Sequence, residues 1–177
     1  MVRIVFDLEA TCWLEQNKNF RQEIIEIGAY KLDEYGEVID KFQQFIRPQV
    51  HPYLSSYCTQ LTSISQKNVD RAKYFPVVQD LFLAWIDQDD YKLISWGRSD
   101  IRLLKDDCEI HKIDTDWLDG KHIDLKDEYK RLKQLKKRIG FQKALELEGM
   151  NFVGTQHRAI YDAANLVQLY TKYIDVW

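Results

Sequence analysis

The stretch that decides the fold is residues 1–13, MVRIVFDLEATCW, an apolar run that carries two acidic side chains. Its β-branched and aromatic residues predict a β-strand over residues 2–10. Successive side chains of a strand point to opposite faces, so Asp7 and Glu9 share one face, with about 7 Å between their α-carbons. Ionised carboxylates in a buried strand are unfavourable unless a basic side chain, a raised pKa or a metal ion compensates them.

The elements that follow this strand predict a mixed sheet flanked by helices. Residues 24–48, IIEIGAYKLDEYGEVIDKFQQFIRP, indicate two further strands with a turn at Gly36, so the sheet is expected to open with three antiparallel strands. Apolar residues at helical spacing predict a helix over 75–86, and a strand over 91–97 follows. The rest of the chain is expected to add a helix, a strand at HIDL and three further helices, the last from His157 onward.

Length and composition indicate one globular domain, residues 1–177. Hydrophobic residues make up 45% of the chain and charged residues 30%, without the polar excess of a disordered protein. No apolar run approaches the roughly 20 residues that cross a bilayer, so no membrane partner is expected and a cytoplasmic location is predicted. Cys12, Cys58 and Cys108 lie far apart and are expected to be free thiols in a reducing compartment.

The charge distribution leaves one basic segment with two interpretations. A net charge of −3 and a pI near 5.8 argue against a protein that coats duplex nucleic acid with a basic surface. They leave open an enzyme that acts on one chain end. Residues 126–143 carry eight basic and two acidic side chains. This segment is either a solvated helix face or a surface that contacts phosphates.

Further acidic residues in the second half of the chain suggest a metal site. Asp100 follows an apolar strand, at the sheet edge where open α/β folds bind ligands. Asp162 is expected one and a half turns inside the final helix, behind His157. Together with Asp7 and Glu9, these carboxylates could bind a pair of Mg²⁺ or Mn²⁺ ions about 3.5–4 Å apart. No cysteine or histidine cluster favours zinc, and no organic cofactor is expected.

Three motifs carry a resemblance to a known family. FDLEATCW, the Asp of SWGRSD, and HRAIYDA resemble the exonuclease motifs of the DEDD superfamily of 3′–5′ exonucleases, in its histidine-containing (DEDDh) branch. EATCW, EIIEIGAYKLD and YCTQLTSISQKNV are further similar to the exonucleases of small RNA and histone mRNA ends (ERI-1 type) and their bacterial KapD-like relatives. The resemblance covers residues 2 to about 170. It implies an RNase H-like fold with a five-stranded mixed sheet.

The resemblance also implies the residues of a two-metal mechanism. Four carboxylates would be metal ligands, and Glu9 would also lie near the terminal 3′-hydroxyl. His157 would be the general base that takes a proton from the attacking water. The implied reaction removes 5′-mononucleotides from the 3′ end of single-stranded RNA or DNA, with no preference between the two fixed by the sequence. The implied metal ligands are Asp7, Glu9, Asp100 and Asp162.

Residues near two of the motifs match positions at which the family binds the terminal nucleotide. Ala10 and Thr11 match residues that line this nucleotide, and Leu61 and Thr62 match a pair that wedges the base and contacts the sugar. The family usually has Gly where Ser63 stands. Ser63 is therefore a departure from the family, and the conformation of its turn is not fixed by the resemblance.

Three other side chains have two interpretations each. Trp13 and Trp96 flank the motifs and either pack in the core or stack on bases, a contact worth about 1–3 kcal/mol per base. Glu26, an acidic residue in an apolar strand, either supports the metal ligands or pairs with an arginine.

Two rival functions fit the sequence less well than an exonuclease. FDLEAT is similar to the FDxDGT opening of haloacid-dehalogenase-type phosphatases, but that class requires Asp at position 9 and Gly at position 10. The hairpin expected directly after the first strand also fits it poorly. A module that only binds nucleic acid would be expected to lack a metal ligand, whereas every ligand and the histidine are present here.

Overall fold

The fold is a six-stranded mixed sheet with helices on both faces, seen in a computed structural model that describes residues 1–15, 20–87 and 89–177. The strands are β1 (Val2–Ala10), β2 (Ile24–Leu32), β3 (Val38–Arg47), β4 (Lys73–Tyr74), β5 (Tyr91–Ser95) and β6 (His122–Asp124). The α-helices of these residues are α1 (Ser56–Thr62), α2 (Gln66–Asp70), α3 (Phe75–Ile86), α4 (Ser99–His111), α5 (Leu125–Leu132), α6 (Phe141–Leu147) and α7 (Ala159–Thr171).

The strand order is β4-β3-β2-β1-β5-β6. β1, β2 and β3 pair antiparallel, as predicted, and β5 and β6 join the β1 edge in parallel. The antiparallel strands that follow β1 are the hairpin that the sequence predicted. This arrangement argues against a haloacid-dehalogenase-type phosphatase. Within the described residues, no helix has the length and apolar character needed to cross a membrane.

The structure adds one strand to the five that were predicted. β4 consists of two residues, which pair in parallel with Ile46 and Arg47 at the end of β3. Two residues are too few for an alternating pattern, so a reading of periodicity missed this strand. The predicted position of Asp162 was also wrong: α7 begins at Ala159, so Asp162 lies in its first turn.

Alternation along β1 divides the core into two layers. Ile4 and Phe6 are fully buried on the face that α3 and α4 cover. Val5 packs on the opposite face, against Leu166 of α7. Because side chains alternate, Asp7 and Glu9 follow Val5 onto the α7 face. The carboxylate pair is therefore directed towards the last helix of the fold.

Gly28 allows α7 to approach the sheet closely. It is the partner of Asp7 in the β1–β2 ladder, and a Cβ atom there would overlap the backbone of Ala159 and Ile160. A larger residue would push the first turn of α7 away from β1. The start of α7, with Asp162, is thus held beside Asp7.

Candidate active site

Three of the four predicted metal ligands come together where β1 meets the first turn of α7. Asp7, Glu9 and Asp162 each offer a carboxylate oxygen, and these oxygens all lie within 4.8 Å of one another. β1 contributes two of them through its alternation, and α7 contributes the third. Clustered carboxylate oxygens are the donor set that hard divalent cations bind.

Asp100, the fourth predicted ligand, lies beside this cluster. It is the second residue of α4, directly after the β5 end of the sheet, and only 7% of it is exposed. It lines one cavity together with Glu9, and its charge raises the pKa of Asp7. The structure therefore brings all four carboxylates to one locus, with Asp100 outside the tight group of three.

The electrostatics of the cluster fit a bound cation. Burial raises the pKa of Asp7 well above its ordinary value, and the charges of Asp100 and Asp162 raise it further. Burial, with repulsion from Asp162, raises the pKa of Glu9 to about 8. Burial likewise raises the pKa of Asp100 to about 6, and that of Asp162 also lies above its ordinary value. At neutral pH the four can all be ionised only if positive charge is supplied.

Glu26 is the partner of an arginine, one of its two predicted alternatives. It lies opposite Glu9 in the β1–β2 ladder and is fully buried. Its carboxylate accepts hydrogen bonds from Nε and Nη2 of Arg158, both at 3.0 Å, and from the backbone N–H of Ala159 at 3.1 Å. This ion pair anchors the start of α7 to β2, beside the acidic cluster.

His157 lies two residues before α7 with an exposed side chain. Its φ of 58° is in the left-handed region, which costs a non-glycine residue about 1–2 kcal/mol. The next residue, Arg158, donates its backbone N–H to Oδ2 of Asp162 at 3.1 Å. The charge of His157 also lowers the pKa of Asp162. A strained backbone conformation at His157 thus directly precedes the turn whose N–H group contacts Asp162.

Asn165 is a residue of this site that the sequence reasoning missed. Its side chain is buried, accepts from the backbone N–H of Val153 at 2.9 Å, and donates to the carbonyls of Val153 at 2.9 Å and Tyr161 at 2.7 Å. It therefore clamps the loop that carries His157 to α7. Residue 165 lies outside the stripe formed by Ile160, Ala163, Val167 and Tyr170, so helical periodicity gave no signal for it.

The predicted nucleotide-binding residues divide into cleft walls and buried supports. A cleft of about 250 Å³ beside the acidic cluster is lined by Glu9, Ala10 and Leu61, among others. Thr11 is buried and ties β1 to Glu23 through hydrogen bonds of 2.8 and 2.9 Å. Thr62 is also buried, and its hydroxyl donates to the carbonyl of Cys58 at 2.8 Å.

Ser63, where the resembled family usually has Gly, adopts a left-handed conformation. Its φ and ψ are 59° and 15°, and it ends α1 directly after Thr62. Its backbone N–H donates to the carbonyl of Thr59 at 3.0 Å. The turn expected for Gly is therefore preserved, and the serine adopts it at a cost of about 1 kcal/mol relative to glycine.

The two tryptophans differ in their surroundings. Trp13 packs against Phe20 and His51, with ring centroids 4.7 and 5.0 Å away, in an aromatic cluster next to the cleft residue Cys12. Trp96 packs 5.4 Å from Phe141 and 5.6 Å from Tyr129, in the core between α5 and α6. Trp96 does not line the cleft; it packs in this core and also borders a neighbouring groove.

The three cysteines are free thiols, as predicted. Cys58 and Cys108 are buried, and Cys12 is partly buried.

Comparison with known proteins gives one family. The family model described as Exonuclease (RNase_T) matches residues 4–170. The probable 3′-5′ exonuclease KapD of Bacillus subtilis is 33% identical over 157 residues, which cover 86% of this chain and 74% of KapD. Human ERI1 exoribonuclease 2 is 29% identical over 97% of this chain, but the match spans only 28% of that protein.

A solved structure agrees with these sequence matches. The nuclease domain of 3′hExo, a DEDDh family member bound to rAMP, superimposes with a TM-score of 0.89 at 27% sequence identity. The alignment covers 98% of this chain and 92% of that domain. The similarity therefore extends over the whole mixed sheet and its flanking helices.

Proposed function

The chain belongs to the exonuclease family, and from this premise we propose that it is a metal-dependent 3′–5′ exonuclease. It hydrolyses the 3′-terminal phosphodiester of single-stranded RNA or DNA and releases 5′-mononucleotides. The observation that carries the proposal is the cluster of Asp7, Glu9 and Asp162, with Asp100 beside it. Residues 1–177 would form one exonuclease domain, and the cytoplasmic location stays a prediction.

The cofactor of the proposed reaction is a pair of Mg²⁺ or Mn²⁺ ions. The four carboxylates that would hold them carry four negative charges, which two dications balance, and oxygen ligands favour these ions over zinc. Bound there, such ions supply charge neutralisation at a phosphoryl group and a lower pKa for water. The four carboxylates would hold the positive charges of these ions at fixed positions beside the terminal phosphodiester. The proposed ligands are Asp7, Glu9, Asp100 and Asp162.

His157 is the proposed general base. Its imidazole is exposed and is the type of side chain that most often takes a proton from an attacking water. Its position is supported by the Arg158–Glu26 ion pair on one side and by the Asn165 clamp on the other. Both supports act on the backbone that flanks His157.

The cleft is the proposed site of the terminal nucleotide. Ala10 and Leu61 form its walls next to Glu9, and the buried Thr11 and Thr62 support those walls from behind. Trp13 remains a candidate for stacking on a base, since it lies just beyond Thr11.

The test is an assay of a 5′-labelled single-stranded RNA and the matching DNA with Mg²⁺, Mn²⁺ or EDTA. A one-nucleotide ladder that requires the metal and is lost in Asp7→Asn is the expected result. A ladder that survives EDTA, or one that Asp7→Asn leaves unchanged, contradicts the proposal. The same strands annealed to their complements measure how strictly the enzyme requires a single-stranded end.

A further inference from the structure

A basic groove lies next to the cleft, between the first half of α4, the turn that precedes β6, and α5. Its volume is about 760 Å³. Five of the side chains that line it are cationic. They are Arg98, Arg102, Lys105, Lys126 and Arg138. Lys126 and Arg138 belong to the basic segment 126–143, whose role the sequence left open.

The groove adjoins the cleft. Ser99 and Arg102 line both cavities, and Asp100 between them faces the cleft. Along α4 the distance from Ser99 to Lys105 is about 9 Å, at 1.5 Å per residue. A ligand that leaves the cleft past Ser99 therefore enters the groove directly.

Two arginines of the groove have only loose carboxylate partners. Arg98 lies 3.4 Å from Asp124 and 3.6 Å from Asp127, and Arg138 lies 4.0 and 3.7 Å from the same two residues. The arginine side chains are 75% and 52% exposed. Asp124 and Asp127 are only 10% and 24% exposed, so they hold the two guanidinium groups at the groove, and the exposed part of each arginine can also contact a phosphate.

The remaining cationic side chains of the groove have fewer carboxylate partners. Lys105 makes one exposed contact of 3.4 Å with Asp119. Arg102 and Lys126 form no ion pair with any residue that the structure describes. Five cations thus face three carboxylates here, an excess of two positive charges in a chain whose net charge is −3.

Other members of the basic segment have structural roles. Lys133 contacts the buried Glu148 at 2.9 Å, and Lys143 pairs with Glu146 on α6 at 2.9 Å. The segment is therefore not uniformly a nucleic-acid surface. Only the part that faces the groove is available to a ligand of the active site.

We propose that this groove binds the phosphates of the substrate strand immediately 5′ of the scissile bond. The proposal rests on the proposed function, because the terminal nucleotide in the cleft leaves the rest of the strand to run past Ser99. Measured along α4, the groove is about 9 Å long, which is enough for about two phosphates of an extended single strand. Arg102, Lys126 and Arg138 are the side chains that contact these phosphates.

The test compares substrates of increasing length. Labelled oligonucleotides of two to eight nucleotides are assayed with Mg²⁺, and kcat/KM is expected to rise until the groove is filled, at about four nucleotides. The variant Lys126→Gln/Arg138→Gln should lower the ratio of kcat/KM for the octamer to that for the dimer about tenfold. It should also make the dependence on salt shallower by about 1.4 in a log–log plot, since each lost phosphate contact removes about 0.7.

The matched control is Lys136→Gln/Lys137→Gln, which removes the same charge from the same segment. Both lysines are exposed and neither lines the groove, so the ratio should stay at the wild-type value. Circular dichroism and melting curves check that both variants are folded.

Three results would overturn the inference. The first is a wild-type kcat/KM that is the same for the dimer and for all longer substrates. The second is an equal fall, in both double variants, of the ratio of kcat/KM for the octamer to that for the dimer. The third is a loss confined to annealed duplexes, which would assign the groove to the opposite strand. Absence of Mg²⁺-dependent release from substrates of every length would instead contradict the proposed exonuclease activity itself.

Discussion

Two regions of the molecule bury carboxylates and treat them in opposite ways. In the acidic cluster of Asp7, Glu9, Asp100 and Asp162, burial and mutual repulsion raise each pKa. At Glu148, 3% exposed after α6, burial opposes ionisation, but hydrogen bonds from Lys172, Tyr173, Tyr129 and Lys133 outweigh it. The pKa of Glu148 therefore lies well below its ordinary value.

The contacts of Glu148 explain the difference. Its oxygens accept from the hydroxyls of Tyr129 at 2.7 Å and Tyr173 at 2.6 Å, and contact Nζ of Lys133 at 2.9 Å and of Lys172 at 2.7 Å. This network joins α5, α6 and the end of α7, and its charge is already balanced within the chain. Among the residues that the structure describes, no lysine or arginine side chain forms an ion pair with the four carboxylates of the acidic cluster, which is what a site for an added cation requires.

The largest expected effect comes from breaking the acidic cluster. Asp7→Asn should lower turnover by about 10³-fold or more, because several kcal/mol of transition-state stabilisation depend on bound metal. In EDTA at pH 8 the same variant should melt about 2–4 °C higher than wild type, since a repelled charge of about 1 kcal/mol is removed. Assays with Mg²⁺ and melting curves measure the two effects. A lower melting temperature in EDTA would show that Asp7 is stabilising and contradict the comparison.

His157→Ala distinguishes the proposed proton transfer by His157 from the proposed metal binding by the four carboxylates. Turnover should fall about 10²–10⁴-fold, because a general base is lost while the four carboxylates remain. The rise in melting temperature on adding Mg²⁺ should persist, as expected when binding to the folded state is intact. Loss of that rise would assign His157 to metal binding.

Glu148→Gln tests the balanced region. The substitution removes the charge that holds Lys133 and Lys172, and should lower the free energy of unfolding by about 3 kcal/mol. The rise in melting temperature with Mg²⁺ should remain. Glu146→Gln is the matched control, because the Glu146–Lys143 pair is more than half exposed and is worth about 0–1 kcal/mol. Equal losses in the two variants would refute the special role of Glu148.

The pH dependence of stability should differ in sign between the two regions. The folded-state pKa values of Asp100, about 6, and Glu9, about 8, lie above their unfolded values, so metal-free protein should lose stability as pH rises from about 4 to 8. The pKa of Glu148 is lowered, so its contribution is lost as pH falls below its unfolded value. Melting curves with and without Mg²⁺ check this. A loss of stability towards pH 8 that Mg²⁺ does not suppress would contradict the assignment of the acidic cluster as a metal site.

The smallest expected effect concerns the left-handed turn behind the cleft. Ser63→Gly should stabilise the protein by about 1 kcal/mol, because glycine adopts a φ of 59° without strain. Chemical denaturation measures it, with Ser65→Gly, at a φ of −85°, as the control that should not stabilise. The acidic cluster and Glu148 should be unaffected.

Much of the fold and of the candidate site follows from local patterns in the sequence. The alternation of residues 2–10 placed Asp7 and Glu9 on one face of a strand, and the apolar stripe of the last helix placed Asp162 near His157. The position of Asp162 within the helix was wrong by two residues, or about half a turn, because no capping side chain marks where α7 begins.

Tertiary structure alone decided how charges are shared between distant parts of the chain. Glu26 and Arg158 are 132 residues apart, and no spacing in the sequence relates them. The groove likewise combines α4 with Lys126 and Arg138 from another segment. The alternation of a strand and the 3.6-residue spacing of a helix are visible within a few consecutive residues. The sequence by itself therefore determined the strands and helices, and with them the positions of the motif residues. Whether a carboxylate is balanced depends on which side chains packing brings within a few ångströms of it, and that only the folded chain decides.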